Sequence, residues 1–229
     1  MQKIYVIHGW AYTIDKWNNV IDELKKRNIE VVMLKVPGLT SQSEKVWDIN
    51  DYVSWTHQQL GSAKKPITLL GHSNGGRIAL NFVQKYPGIV DNLILVDSAG
   101  IYDDRFLTQL KRATLKLLAK AGKLVTRSPK IRKLFYKLIR AHDYEQAPEN
   151  MRRTMANLLA SDKQLDASKV DVPTHIIWGT DDTVTPPRDG QKLHASIKGS
   201  TIKWVKDARH SPFMTHPAQV AEIIKDILK

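Results

Sequence analysis

LLGHSNGGRIAL, residues 69–80, joins two leucines to three glycines around a serine and then runs into a helical pattern. A segment this rich in glycine makes a poor strand and a poor helix. Its centre, Gly71-His72-Ser73-Asn74-Gly75, has the form G-x-S-x-G. It stands directly after the apolar run Ile67–Leu70 and before a helix spelled by Arg77–Lys85, which Tyr86-Pro87-Gly88 stops. Where a strand turns abruptly into a helix, the serine sits at the tip in a strained conformation, and glycine flanks it because larger side chains would collide. Gly76 then lets the helix approach the sheet closely, with a start expected near that residue. The Asn74 N–H, at the helix N-terminus, is aimed at developing negative charge. A bare G-x-S-x-G also describes an inert glycine-rich turn; the flanking strand and helix are what favour the catalytic reading.

Outward from this turn, short runs rich in Val, Ile and Leu recur at Ile4–Ile7, Val31–Val36, Leu93–Val96, His175–Trp178 and Ile202–Val205. Most lack the alternation of a half-exposed strand and fit strands buried on both faces of a parallel sheet. Helical stretches lie between them: Trp17–Arg27, Ile49–Leu60 and, closing the chain, Pro217–Leu228. Strand and helix in alternation give βαβ units and a doubly wound α/β fold. One interval breaks the rhythm. After Val96 about 75 residues pass before the next strand, and their periodicity is helical throughout. Leu110, Leu117, Leu118 and Ala121 mark one amphipathic helix, Ile131, Leu134, Phe135, Leu138 and Ile139 another, and Met151, Met155, Leu158 and Leu159 a third. The division expected is a core of residues 1–100 and 173–229 with a helical cap, 101–172, over the strand ends where such sheets place their ligand crevice.

The bulk numbers narrow the classes. At 229 residues the chain is long enough for one α/β domain with a substantial core, or for two small domains. It has no cysteine, which excludes disulfides, a cysteine nucleophile and thiolate metal sites. The apolar run in MQKIYVIHGW is too short for a secretory leader, and no run approaches the roughly 20 residues of a membrane span. A cytoplasmic protein with no transmembrane segment is the expectation. The formal charge is +12, and residues 101–172 carry 16 Lys/Arg against 8 Asp/Glu. The basic surplus is thus concentrated in the expected cap.

A serine hydroxyl is a weak nucleophile and needs a base with an orienting acid. Two later strands run into suitable loops: Gly179-Thr180-Asp181-Asp182-Thr183-Val184-Thr185-Pro186, and Lys206-Asp207-Ala208-Arg209-His210-Ser211-Pro212. Both leave the C-terminal ends of parallel strands, as Ser73 does, so serine, acid and histidine can meet at one sheet edge. Asp97, at the end of Leu93–Val96, is an alternative acid.

Taken together, HGW at 8–10, VPGLTSQS at 36–43, GHSNGG at 71–76, WGTDDTVTP at 178–186 and ARHSPFMTHP at 208–217 resemble the α/β-hydrolase superfamily over nearly the whole chain except the cap. The likeness is to its lid-bearing esterases, including pimeloyl-carrier methyl esterases, and to hydrolases of ring-cleavage products. It implies about six mainly parallel strands with the Val31–Val36 strand at one edge, since the two strands that usually precede HGW in the family have no counterpart. It implies Ser73 as nucleophile, His210 as general base and acid, and Asp182 rather than Asp181 as the acid that fixes the histidine tautomer. The oxyanion hole would be the backbone N–H groups of Trp10 and Asn74, with Trp10 and His72 as substrate-binding residues; His8 and His72 otherwise read as structural histidines that brace their loops, since the family's base lies in the last loop. Ala11 and Ala208-Arg209 stand where glycine is frequent in the family, without removing a catalytic group.

Serine at the elbow implies acyl transfer. The leading expectation is a carboxylesterase for small to medium acyl esters, with no cofactor and no metal site. The alternatives are an esterase or thioesterase on carrier-bound acyl groups, whose acidic carrier would meet the basic cap, and a carbon–carbon bond hydrolase. A non-catalytic binder is the alternative from another class. Nucleic-acid binding is not expected, because no recognised motif or aromatic face accompanies the positive charge.

Overall fold

Six short strands form one sheet in the computed structural model, which describes residues 2–102 and 147–229. They are β1 (Gln2–Ile7), β2 (Ile29–Met33), β3 (Thr68–His72), β4 (Asn92–Val96), β5 (Thr174–Gly179) and β6 (Thr201–Val205). The order is β2-β1-β3-β4-β5-β6, and every pair is parallel. In register, Ile4 lies opposite Val31 on one side and Thr68 on the other, while Gly179 lies opposite Val205. The helices are α1 (Asn18–Lys26), α2 (Ile49–Leu60), α3 (Asn74–Lys85), α4 (Glu149–Ser161), α5 (Pro187–Ser196), the one-turn α6 (Pro212–Thr215) and α7 (Pro217–Ile227).

Strand pleating divides the core into two apolar layers. On one face Ile7, Leu69, Leu93, Leu95, Ile176 and Trp178 pack with residues of α2, α3, α4 and α5. On the other, Ile4, Val6, Leu70, Ile94, Val96 and Ile177 pack with α1, α6 and α7. Local signals start the helices where they are needed. Asp48 accepts from Asp51 N–H while the Asp51 side chain accepts from Asp48 N–H, a reciprocal cap for α2. Prolines at the first positions of α5 and α7 cost no hydrogen bond there.

Two boundaries and the burial of one strand stand out against expectation. The second strand is Ile29–Met33, not Val31–Val36. Its start is drawn back by pairing of Gln2 with Ile29 and by the Lys3–Glu30 ion pair at 2.9 Å. Val36 is buried in a turn whose carbonyl accepts from Leu39, Thr40 and Ser41. Helix α3 begins at Asn74, directly after the serine, rather than near Gly76. Burial on both faces holds for the inner strands, but in β6 only Val205 is buried and Trp204 remains 36 % exposed, as befits an edge strand carrying Lys203.

Of the three helices expected between β4 and β5, the one bearing Met151 and Leu158 is α4, with both side chains buried against the core. The two marked by Leu110–Ala121 and Ile131–Ile139 lie outside the described residues. Because inner strands are sealed on both sides and β6 is not, urea denaturation is expected to separate them. Ile94→Ala should cost about 2–5 kcal/mol, whereas Lys203→Ala should stay within about 0.5 kcal/mol.

Candidate active site

The elbow is built by close approach. A Cβ on Gly75 would penetrate the Ile7 carbonyl at the end of β1, and one on Gly71 would lie 2.6 Å from Gly76 Cα. Only glycine lets α3 start this near the sheet. The turn pushes Ser73 to φ 51°, ψ −119°, a conformation that L-residues adopt only when their surroundings hold them. The Ser73 carbonyl accepts from the Gly76, Arg77 and Ala99 amides, which fixes the turn from both its own helix and the chain after β4.

His210, in the loop after β6, places Nε2 2.9 Å from Ser73 Oγ and Nδ1 2.8 Å from Asp182 Oδ2. Asp182, in the loop after β5, is 3 % exposed. Burial alone would raise its carboxyl, but the hydrogen bond to His210, attraction to that ring and donation from Thr185 and Val184 outweigh it and hold the group below the usual carboxylate value. The Val184 and Thr185 amides reach Oδ1 at 2.7 and 3.0 Å. Asp181, the neighbouring candidate, is exposed and lies against Thr180 Oγ1 instead.

Thr185 was not singled out by the sequence. Its hydroxyl lies 2.7 Å from Asp182 Oδ2 and 3.1 Å from the Asp97 carbonyl, two acceptors for its one proton. A threonine three residues after the acid is the signal that was available. Trp178, on β5, donates its indole N–H to the Thr185 carbonyl at 2.9 Å, tying the acid loop to the core.

The HGW loop runs across the base of the nucleophile: a Cβ on Gly9 would lie 3.0 Å from Ser73 Cβ. His8 anchors that loop, one ring nitrogen 2.8 Å from the Gly9 carbonyl and the other 2.8 Å from Thr40 Oγ1. Burial, against a weaker opposing bond to Gly9, keeps its pKa low. Among the described residues, the backbone amides of Trp10 and Asn74 have no protein acceptor.

His72 takes the bracing place read for it rather than one that faces substrate. It is 6 % exposed, packed edge-on against Phe213, and donates Nε2–H to the His210 carbonyl at 2.8 Å. Burial, then the nearby His210, push its pKa down to about 3, so it remains neutral. Its ring supports the His210 loop from behind. Arg209, next to the base, is exposed.

Asp97 does not join the line of Asp182, His210 and Ser73. Its Oδ1 accepts from the Gly179 amide at 2.9 Å, and its buried Oδ2 has no partner among the described residues. Donor atoms of His72, Asp97 and His210 lie within 4.8 Å of one another. Both ring nitrogens of His210 are already engaged with Ser73 and Asp182, so a cation there would compete with those contacts.

Comparison with known proteins follows the same lines. The family model Hydrolase_4, described as serine aminopeptidase, S33, matches residues 1–216. The chain belongs to this family. The hydrolase is similar to the monoacylglycerol lipase ABHD6 of Homo sapiens, 27 % identical over 252 residues, covering 98 % of this chain and 74 % of that protein. It is likewise similar to the pimeloyl-[acyl-carrier protein] methyl ester esterase of Neisseria meningitidis, 28 % identical over 251 residues, covering 100 % of this chain and 77 % of that one. Among solved structures, an esterase from Thermogutta terrifontis superposes with a TM-score of 0.69 at 21 % identity, covering 100 % and 89 % of the two chains. The monoacylglycerol lipase of Paleococcus ferrophilus gives 0.70 at 17 %, covering 99 % and 93 %. These likenesses show the α/β-hydrolase fold. No helix among the described residues is long and apolar enough to cross a membrane.

The buried Asp97 gives the hydrolase a measurable pH signature. Burial, partly offset by the Gly179 amide, raises its pKa to about 8 from an ordinary 3.8. Between these values the unfolded chain has lost this proton and the folded chain retains it, so stability falls as pH rises and levels off above about 8. Asp97→Asn removes the titration. Its stability relative to wild type should increase from pH 4 to pH 8 in chemical denaturation, then stay constant.

Proposed function

We propose that this hydrolase is a serine carboxylesterase acting on acyl esters, with Ser73 as nucleophile, His210 as general base and acid, and Asp182 as the residue that orients His210. The single observation that carries the reading is the continuous line Ser73 Oγ–His210–Asp182, at 2.9 and 2.8 Å, on a strained strand–helix turn. The similarity to a monoacylglycerol lipase and a methyl ester esterase supports the ester as substrate class.

The geometry gives each group a task. With Nδ1–H held by the Asp182 carboxylate, the lone pair of His210 is on Nε2, facing Ser73 Oγ. Ser73 Oγ attacks the ester carbonyl carbon as its proton passes to Nε2. The amides of Trp10 and Asn74 receive the oxyanion of the tetrahedral intermediate. His210 returns the proton to the departing alcohol, leaving an acyl-enzyme on Ser73. Water, deprotonated by the same Nε2, attacks the acyl carbon, and Ser73 Oγ leaves with the proton as the carboxylic acid is released. We propose further that the segment 101–172, inserted between β4 and β5, serves as the cap that sizes the acyl pocket.

A second reading concerns the leaving side of the ester. The segment 101–172 has 16 Lys/Arg against 8 Asp/Glu, and the chain covers its full length against an esterase of a carrier-bound methyl ester. An acidic acyl carrier docked on the cap fits both facts. Its signature would be a rate on carrier-bound esters that falls steeply between low and physiological salt while the rate on free esters does not.

Turnover of p-nitrophenyl esters of two to twelve carbons tests the main reading. Ser73→Ala should lower kcat by at least about a thousandfold with the fold intact, and abolish labelling by a fluorophosphonate. A folded wild-type protein that neither turns over these esters nor labels would overturn it.

A further inference from the structure

Arg77 lies four residues past the nucleophile, in the first turn of α3, with a side chain only 5 % exposed. An arginine this buried is expensive unless its charge and donors are matched. Its guanidinium is matched on two sides. Nε and Nη2 donate to the two carboxylate oxygens of Asp162 at 2.6 and 3.1 Å, a two-pronged pair in which Asp162 is 2 % exposed. Nη1 donates to Asn74 Oδ1 at 2.5 Å. Asn74 is the residue whose backbone amide stands in the oxyanion hole, and its side-chain Nδ2 is buried with no partner among the described residues. The Arg77 contact therefore provides the described hold on that side chain.

The other end of the pair belongs to the inserted segment. Asp162 follows directly on α4, which is seated by Thr154 Oγ1 accepting from the Trp47 amide at 2.9 Å and by Asn150 donating to the Ser43 carbonyl. The chain enters the insertion at Gly100, where a Cβ would lie 3.2 Å from Arg77 Cα and 3.1 Å from Leu165 Cδ2. One residue earlier, the Ala99 amide donates to the Ser73 carbonyl at 2.9 Å. The segment's departure and return thus meet each other over Arg77, immediately behind the nucleophile.

We propose that the Asp162–Arg77–Asn74 chain is a latch that holds the returning end of the cap on the nucleophile elbow and fixes the oxyanion-hole residue, making Arg77 and Asp162 positioning residues for acyl transfer. A planar fork suits this task, since one guanidinium meets a carboxylate and an amide oxygen in fixed directions. The inference rests on the serine-esterase reading. Displacing the Asn74 amide weakens the bond to the oxyanion, which exists only in the transition state, and leaves ground-state binding of the ester nearly unchanged.

The test is the paired variant Arg77→Met/Asp162→Leu, which removes both charges and leaves neither buried alone. It is compared with wild type by thermal melting, ester kinetics and affinity for a trifluoromethyl ketone, which binds as an oxyanion adduct. The expected result is a melting temperature close to wild type and kcat lowered about tenfold to a hundredfold. KM should hold within about twofold, and ketone affinity should fall in step with kcat. Wild-type kcat and ketone affinity in the folded double variant would overturn the latch. Should that variant not fold, Arg77→Lys decides: it keeps the charge opposite Asp162 but loses the fork to Asn74. A kcat loss with KM intact supports the latch, and unchanged kcat overturns it. Failure of the underlying reading looks different, because the wild-type protein itself would then show no turnover and no fluorophosphonate labelling.

Discussion

The molecule depends on one close contact, the approach of the first turn of α3 to the end of β1. No side chain fits between Gly75 and the Ile7 carbonyl. That contact forces the serine before it into a left-handed conformation and leaves the first amides of the helix without helical acceptors. Backbone strain of this kind is worth roughly 1–3 kcal/mol and persists only where the surroundings over-determine it. Here they do. Ser73 O takes three amide donors, and Ser98 packs beneath Gly76.

Parallel topology then does the gathering. Every strand points the same way, so the loops after β1, β3, β5 and β6 all open at one sheet edge. Ser73, Asp182 and His210 are far apart in the chain, yet they meet within single hydrogen bonds. The acid loop is held by Trp178 and Thr185, the base loop by His72, and the HGW loop by His8 and Thr40. Rigid placement of each loop by a separate buried group is how such a site avoids reorganising as charge develops.

The legibility of this arrangement in sequence follows physical range. Parallel strands read clearly because burial on both faces leaves continuous runs such as Ile67–Leu70 and Leu93–Val96. The elbow read clearly because glycine is required by local sterics. Strand β2 ends three residues before the apolar run does because Val36, as apolar as any strand residue, is buried by a turn instead of by pairing. The bracing role of His72 is legible from its place beside the elbow, but the partners that bury it are not: Phe213 belongs to α6, some 140 residues later. The pairing of Arg77 with Asp162 leaves no mark in the string, since nothing local shows that residues 85 positions apart neutralise each other. Short-range constraints leave a mark in the string, and long-range pairings do not.

His72 separates two kinds of proton in one small region. Its Nε2 proton holds the carbonyl of His210, while the ring of His210 presents Nε2 to Ser73. With its pKa near 3, His72 keeps the same hydrogen-bonding pattern across the whole neutral range. The proton that supports the architecture is therefore insulated from the solution. Two histidines side by side thus differ in kind: one, sealed away from water, is a fixed part of the frame, and the carbonyl it holds belongs to the residue whose ring meets Ser73.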